Sequence, residues 1–231
     1  MKKKLAVLVL ALAMILSMAA CGNSTSAEKD NTQLNIIDSE WRGLDTYQLD
    51  ETAGAQGLSS SALFQWDPET NSMVDNVCTD WQVSEDGKTA TFTVPEGMYY
   101  STGEQVEPED VVASIQHGLD VSPYSDGYSN IESMDVDGRQ VTLHLSEFRS
   151  DMQYYFCAGC HPYGMYALAE DGYVSGSEVK LVKNEGFSCS NPLVENQGAG
   201  HFENVSVRFN VEEFTQTEDL KAGNVDLIMS I

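Results

Sequence analysis

The feature that most constrains the fold is a stretch in the middle of the chain, residues 81–120, which reads "WQVSEDGKTATFTVPEGMYYSTGEQVEPEDVVASIQHGLD". Asp86 and Gly87 supply the turn chemistry of a β-hairpin, because glycine adopts positive φ without steric cost. The apolar residues after this turn alternate with threonines, and that period of two predicts a strand with one face on a core. These core-facing positions are Ala90, Phe92 and Val94.

A helix is predicted to begin at Pro108 in the same stretch. Proline fits the first helical position because its missing N–H would have no partner there, and Glu109 and Asp110 favour the positive end of the helix dipole. Apolar residues then recur at spacings of three and four, which predicts one buried stripe against the strands. The stripe consists of Val111, Val112, Ile115 and Leu119.

A second hairpin of the same kind follows the helix. The segments "IESMDV" and "QVTLHL" flank Asp137 and Gly138, another turn pair between two short strand patterns. Two hairpins and a helix in this order indicate a portion of the chain that combines antiparallel strands with a helix.

The N-terminus carries an export signal. Three lysines precede the apolar run "LAVLVLALAMIL", and the small-residue sequence "SMAAC" ends at Cys21. This pattern is typical of a bacterial lipoprotein, so we expect residues 1–20 to be a signal peptide and Cys21 to carry the lipid. Residues 21–31 have no periodic apolar positions and are predicted to be a flexible tether. The expected location is the extracytoplasmic face of the cell membrane, with a soluble secreted protein as the alternative.

The charge of the chain excludes one class of partner. Its 36 acidic and 12 basic side chains give a formal net charge of -24, and no basic patch compensates it. Such a surface repels nucleic acid and anionic lipid heads. Hydrophobic residues make up 42% of the chain, enough for a real core in one or two domains.

Several segments, taken in order, resemble the extracellular solute-binding proteins of peptide and nickel ABC transporters, the oligopeptide- and dipeptide-binding family. "TQLNIIDSEWRGLDTY" is similar to the first strand and the turn after it, although Thr46 replaces a proline. Residues 63–115 are similar to the block in which a tryptophan precedes an Asp-Gly hairpin and a helix start. "VKLVKNEGF" resembles the strand that returns the chain to the first lobe, and "DLKAGNVDL" resembles the helix end and strand near the hinge.

Together with the hairpin and helix signals, this resemblance implies an α/β protein with the type II periplasmic-binding-protein fold of the peptide-binding class. It implies that residues 32–50 and 178–231 form part of the first lobe, and that residues 51–177 form an inserted α+β domain. Full family members are about twice as long, so we expect this chain to be an N-terminal half without the second lobe. A lobe without its partner would expose apolar surface and a sheet edge, which favours aggregation.

The resemblance also implies the function. It implies a monomeric substrate-binding lipoprotein that captures peptides or a similar small solute and delivers them to ABC permease subunits, with no catalysis, no cofactor and no metal. Nickel or a sugar are alternative solutes, and a non-functional fragment is the alternative to a working receptor. From the first lobe and the insert, we expect Tyr124 and Asp50 to touch the solute, with Glu40 and Trp41 as weaker candidates.

The sequence contains none of the common catalytic motifs that we considered. No G-x-S-x-G, H-E-x-x-H, Walker or dinucleotide pattern occurs. His117, His144, His161 and His201 are separated from one another, so surface or internally bonded histidines are the expected interpretation. We therefore predict that the chain is not an enzyme.

The segment "CAGCH", residues 157–161, has the C-x-x-C-H spacing that attaches c-type haem. This spacing suggests a haem-binding electron-transfer lipoprotein through Cys157, Cys160 and His161. We predict that no haem is attached, because the segment lies within the binding-protein pattern and no second cytochrome feature accompanies it. Cys78, Cys157, Cys160 and Cys189 allow disulfides, a zinc site or free thiols, and the sequence leaves these three alternatives open.

Overall fold

The computed structural model describes residues 32–48, 54–158 and 161–229. Eleven strands and three α-helices are assigned within those residues. The strands are β1 (Gln33–Ile37), β2 (Phe64–Asp67), β3 (Ser72–Asp75), β4 (Thr79–Val83), β5 (Thr89–Thr93), β6 (Ile131–Asp137), β7 (Gln140–Leu145), β8 (Tyr166–Val174), β9 (Glu178–Lys183), β10 (Asn204–Arg208) and β11 (Leu227–Ile228). The helices are α1 (Pro108–Val121), α2 (Met152–Ala158) and α3 (Glu213–Ala222). Short 3-10 helices occupy Thr46–Gln48, Gly54–Leu58 and Ser125–Tyr128.

The first sheet is mixed and has five strands in the order β11-β1-β10-β9-β8. Strand β1 runs parallel to both β10 and β11, whereas β9 is antiparallel to β10 and to β8. A parallel neighbour needs a crossover connection, and here the rest of the described chain between β1 and β10 forms it. Ile36, Val179, Leu181, Val205 and Val207 form the buried core of this sheet.

The second sheet is antiparallel, with the order β4-β5-β7-β6, and both predicted hairpins lie in it. Gly87 and Gly138 have φ of 66° and 58° at their turns, a conformation that glycine adopts without strain. Ala90, Phe92 and Val94 are all fully buried, as the alternating pattern predicts. Phe92 lies opposite Val141 on β7, so the two strands share one core face.

Helix α1 begins at Pro108, the residue predicted from the sequence. The Asp110 carboxylate accepts a hydrogen bond from the Glu107 N–H at 2.9 Å, which caps the first turn. Val111 and Ile115 are buried in the core of the four-stranded sheet, and α2 covers the same core with Met152 and Phe156. The predicted helix stripe is therefore confirmed.

The expected division into a partial first lobe and an insert stays a prediction, but one part of it needs adjustment. Residues 177 and 178, the expected boundary, lie where β8 turns into β9, and these strands are paired. Strand β8, expected in the insert, thus belongs to the sheet that contains β1. The expected lipid site Cys21, the signal peptide and the tether lie outside the described residues. Among the helices of the described residues, none is long and apolar enough to cross a membrane.

Candidate functional site

A cavity of about 390 Å³ lies where three parts of the chain meet. One wall comes from strands β8 and β9, another from the segment after β1, and a third from the loop between β5 and α1. Four aromatic side chains line it, namely Trp41, Tyr100, Tyr163 and Tyr166. Concave sites of this size, with aromatic walls and a few polar groups, are typical of small-molecule binding.

Among the described residues that were predicted to bind solute, Trp41 lines this cavity and the others do not. Its side chain is 7% exposed and packs in the core of the five-stranded sheet with Tyr166 and Leu181. The indole Nε1 is buried without a hydrogen-bond partner. Trp41 therefore presents an apolar surface to the cavity and is held in place by the core.

The segment after Trp41 is held by helix α1. The Asp45 carboxylate lies 2.8 Å from Nε2 of His117, and the ring of Tyr47 packs edge-on against the same imidazole. Partial burial acts to raise the pKa of Asp45, but hydrogen bonds from His117, Gln48 and the Tyr47 N–H together lower it. These contacts fix Leu44 and Thr46, which line the cavity on either side of Asp45.

Tyr100 stands on a tight turn between β5 and α1. The Tyr100 N–H donates to the Glu104 carbonyl at 2.8 Å, and Gly103, with φ of 87°, donates back to the Tyr100 carbonyl. Burial and the nearby Asp110 carboxylate raise the pKa of the Tyr100 phenol above its usual range. The hydroxyl is therefore a neutral hydrogen-bonding group at neutral pH.

Asn184, at the end of β9, joins the walls of the cavity. Its amide nitrogen donates to the carbonyls of Tyr99 and Gly164, at 3.0 and 3.3 Å, and its oxygen accepts from the Gly186 N–H at 3.1 Å. Tyr163 is buried, and its hydroxyl accepts from the Ser188 N–H at 2.7 Å. These bonds make a preformed wall, because each polar group is already oriented by the protein.

The cavity wall is almost free of charge. Among the described residues that line it, Glu104 is the one acidic side chain, and none is a lysine, arginine or histidine. Gln56, Ser59, Ser101 and Thr102 supply neutral polar groups. This composition suits a solute that is bound by stacking and hydrogen bonds, with room for one positive charge near Glu104.

The other residues predicted to bind solute are not gathered at this cavity. Glu40 is partly exposed and its carboxylate accepts a hydrogen bond from Arg42 at 2.7 Å. Tyr124 is 49% exposed after the end of α1, and neither residue is among those lining the cavity. Asp50 lies outside the described residues.

Tyr100, Tyr163 and Asn184 are site residues that were not predicted from the sequence. A signal for Tyr100 exists, since "MYYSTG" places two tyrosines just before a glycine turn in a strand-to-helix loop. Tyr163 and Asn184 have no such local signal. They reach the cavity only because β8 and β9 pair next to each other.

The structure bears on the three alternatives for the cysteines, which are disulfides, a zinc site and free thiols. Cys78, Cys157 and Cys189 are free thiols, and Cys160 lies outside those residues. No group of three or more potential metal ligands occurs within the part of the chain that the structure describes. His161 of the C-x-x-C-H motif is fully buried, with Nδ1 at 2.6 Å from Ser114 Oγ and Nε2 at 3.4 Å from the Tyr100 hydroxyl.

These two sheets place the chain in a class of protein, the type II periplasmic-binding-protein fold, and the size of the chain is consistent with a single lobe of that fold. The family of bacterial extracellular solute-binding proteins, family 5, matches through its middle segment at residues 72–166. This match confirms the resemblance seen in the sequence.

Solved structures of this class superpose on most of the chain. NikA from Staphylococcus aureus, in complex with Ni(L-His)2, matches with a TM-score of 0.70 at 13% identity, covering 85% of this chain and 43% of its own. AppA, the oligopeptide-binding protein from Bacillus subtilis in complex with a nonapeptide, matches with a TM-score of 0.66 at 13% identity and the same coverage. AgaA from A. tumefaciens R10, in complex with agropinic acid, matches with a TM-score of 0.69 at 22% identity, again covering 85% and 43%.

These likenesses establish the fold. The chain spans about 43% of the length of the solved structures named above. No curated protein matches the chain by sequence.

Proposed function

We propose that the cavity is the first-lobe part of a solute-binding cleft, and that the protein captures peptides or a similar small solute for an ABC importer. The observation that carries this proposal is a preformed cavity of about 390 Å³ walled by Trp41, Tyr100, Tyr163 and Tyr166. The family 5 match at residues 72–166 supports it, since these proteins are extracellular solute-binding proteins. No bond is made or broken in this function.

A peptide suits the composition of the wall. Peptide groups are neutral and polar, and they find partners in the amides and hydroxyls of Gln56, Ser101 and Thr102. Apolar side chains of a peptide can bury their surface against the aromatic rings. A terminal ammonium can bind over the face of a ring through a cation–π interaction. Glu104 adds a negative charge at the edge, where an ammonium would be favoured over a carboxylate.

Nickel is the second candidate solute, because NikA, one of the compared structures of this fold, holds a histidine complex of the metal. The described lining offers no cluster of metal ligands. In this proposal nickel would arrive as a chelate whose organic part contacts the aromatic wall.

Electron transfer through a c-type haem is not supported by the position of His161. An axial ligand needs one ring nitrogen directed at the iron. Here both nitrogens face protein groups, Ser114 and Tyr100, in the interior. We keep the proposal that no haem is attached.

The remaining parts of the proposal follow from the family and the N-terminal pattern. They are anchoring of a monomer through lipid at Cys21 on the extracytoplasmic face, closure on the solute with a second lobe, and delivery to the permease. Anchoring is tested by the mass of the N-terminal peptide of protein from membranes. A diacylglyceryl group on Cys21 supports it, and an unmodified mature Cys21 contradicts it.

Solute binding is tested by NMR titration of the full chain with trialanine at millimolar concentrations, which detects the weak affinity expected of one wall of a cleft. Tyr100→Ala and Tyr124→Ala are compared, because one tyrosine lines the cavity and the other lies at the surface. We expect Tyr100→Ala to weaken binding about tenfold and Tyr124→Ala to leave it unchanged. No trialanine-dependent shifts, or a loss with Tyr124→Ala alone, would overturn the assignment of the cavity. The nickel–histidine chelate in place of trialanine tests the second candidate.

A further inference from the structure

We propose that His161 is a positioning residue of the cavity, which orients the Tyr100 hydroxyl through its side chain and holds the wall of residues 162–164 through its backbone. The proposal rests on the proposed function in one respect, that the cavity is where the solute binds. It gives a role to the histidine of the C-x-x-C-H motif, which solute capture itself does not use.

The imidazole of His161 lies between helix α1 and the tyrosine turn. His161 has no exposed surface. On one side its Nδ1 is 2.6 Å from Ser114 Oγ, in the middle of α1, and on the other its Nε2 is 3.4 Å from the Tyr100 hydroxyl. The ring therefore spans the gap between a buried helix position and a residue of the cavity wall.

The neutral imidazole of His161 can bond both hydroxyls, because one ring nitrogen donates and the other accepts. With the proton on Nε2, the ring donates to the Tyr100 hydroxyl and accepts at Nδ1 from the Ser114 hydroxyl; with the proton on Nδ1, both directions are reversed. In either tautomer the ring joins Ser114 of helix α1 to Tyr100 of the cavity wall.

The backbone of His161 holds the next wall of the cavity. His161 and Ser61 exchange hydrogen bonds in both directions, at 2.9 and 3.0 Å, and the His161 carbonyl accepts from the Tyr163 N–H at 2.7 Å. Pro162, Tyr163 and Gly164 follow directly and line the cavity. Side chain and backbone of a single residue therefore align two walls, the tyrosine turn and the 162–164 segment.

Two substitutions separate the halves of the imidazole. In His161→Asn the amide reaches the position of Nδ1, so the Ser114 bond is kept and the Tyr100 bond is lost. In His161→Gln the longer amide reaches the position of Nε2, so the Tyr100 bond is kept. Both variants lose the packing of the imidazole ring in the core. Each therefore serves as the control for the effect of this lost packing on the stability of the other.

The first measurement needs no solute. In protein labelled with ¹³C at the tyrosine ζ carbon, the Tyr100 resonance is identified by its disappearance in Tyr100→Phe. We expect this resonance to move in His161→Asn and to stay near its wild-type position in His161→Gln. Equal movement in both folded variants would overturn the positioning role, whether or not the cavity binds peptide.

The second measurement uses trialanine as the probe. We expect His161→Asn to weaken trialanine binding on the order of three- to tenfold, the range of one hydrogen bond, and His161→Gln to weaken it less. Adding Tyr100→Phe to His161→Asn is expected to cause little further loss, because both act through the same hydroxyl. Fully additive losses would overturn the proposal. A different outcome is that wild-type protein does not bind trialanine, although the Tyr100 resonance moves in His161→Asn and not in His161→Gln. That result would contradict only the proposed function.

Discussion

Ser114 Oγ and His161 Nδ1 lie 2.6 Å apart in the interior, where the helix α1 meets the segment that leads into β8. Burial is the main reason that the pKa of His161 is lowered to about 4, and the negative charge of Asp110 opposes this only in part. The histidine is therefore neutral in the folded protein throughout the range in which an unfolded histidine gains its proton.

The first prediction concerns the pH dependence of stability. Between the unfolded pKa of 6.5 and the folded pKa of about 4, the unfolded chain binds a proton at His161 that the folded chain does not. The contribution of His161 is thus fully present above pH 6.5 and falls as the pH drops toward 4, by about 3 kcal/mol in total. Urea unfolding at a series of pH values from 7 downward measures this fall.

His161→Asn is the variant that removes this proton-linked loss. We expect its free energy of unfolding to lie below that of wild type at pH 7 and the gap to narrow as the pH falls. His144→Asn, at a partly exposed position on β7, removes a different histidine and is expected to keep the fall in stability that His161 causes. Parallel curves for wild type and His161→Asn would contradict the prediction.

The sequence predicted the parts of the fold that are determined locally. Gly87 and Gly138 take positive φ at turns that the Asp-Gly pairs mark, and Pro108 begins α1 because its chemistry suits a first helical turn. Such signals lie within a few residues of the structure that they specify. They did not show that β8 pairs with β9, because a long strand with a positive-φ residue at Asp171 offers no local sign of its partner.

The candidate site was less predictable because it is assembled over long distances in sequence. Trp41 is predicted from the sequence to bind solute and lines the cavity. Tyr100 and Asn184 are not predicted from the sequence, and they reach the cavity from separate segments. His161 attracted attention through its cysteine spacing, yet its contacts are set by Ser114 on a helix that begins far upstream. The spacing of residues along the chain does not show which distant residues come into contact.

The second prediction concerns a glycine in the cavity wall. A Cβ on Gly164 would lie 2.5 Å from the Ser59 carbonyl carbon and 2.6 Å from the Leu58 oxygen, and backbone atoms cannot give way as a flexible side chain does. We expect Gly164→Ala to lower the free energy of unfolding by about 1–3 kcal/mol, as overpacking does. Thermal unfolding by circular dichroism measures the change.

Gly57→Ala is the matched control for Gly164→Ala. Gly57 lies in the adjacent 3-10 helix, Gly54–Leu58, and a Cβ there meets nothing within 4 Å. We expect this variant to be as stable as wild type, or slightly more so because alanine reduces the freedom of the unfolded chain. Equal stability of the two variants would mean that the close approach of Gly164 to Ser59 is not a constraint.

The third prediction concerns Arg139, just after the second hairpin turn. Its guanidinium donates to the carbonyls of Val94, Pro95 and Val106 at 2.7–2.9 Å and also bonds to the Glu107 carboxylate. A lysine has a single nitrogen and cannot reach four acceptors. We expect Arg139→Lys to cost about 1–3 kcal/mol in urea unfolding.

The control for Arg139 is Arg208→Lys on β10. The Arg208 guanidinium bonds to the Asp219 carboxylate at 2.8 Å at a more exposed position, and a lysine can replace that contact. We expect a change within about 0.5 kcal/mol. If Arg208→Lys were as destabilising as Arg139→Lys, the forked geometry of Arg139 would not be the cause.

The fourth prediction concerns thiol reactivity, which depends on the thiolate. Cys78 has no exposed surface, and burial raises its pKa above the usual range of a thiol; burial also raises the pKa of the half-buried Cys157 to about 11. We therefore expect N-ethylmaleimide at neutral pH to leave Cys78 unmodified in the folded protein and to modify Cys157 slowly. In urea both should react at the rate of unfolded cysteines. Mass spectrometry of the digested protein distinguishes the two sites.

Two outcomes would contradict these expectations. Fast labelling of Cys78 without urea would contradict its burial. A Cys157 thiol that stays blocked in urea after reduction would indicate a thioether, and this would contradict the proposal that no haem is attached.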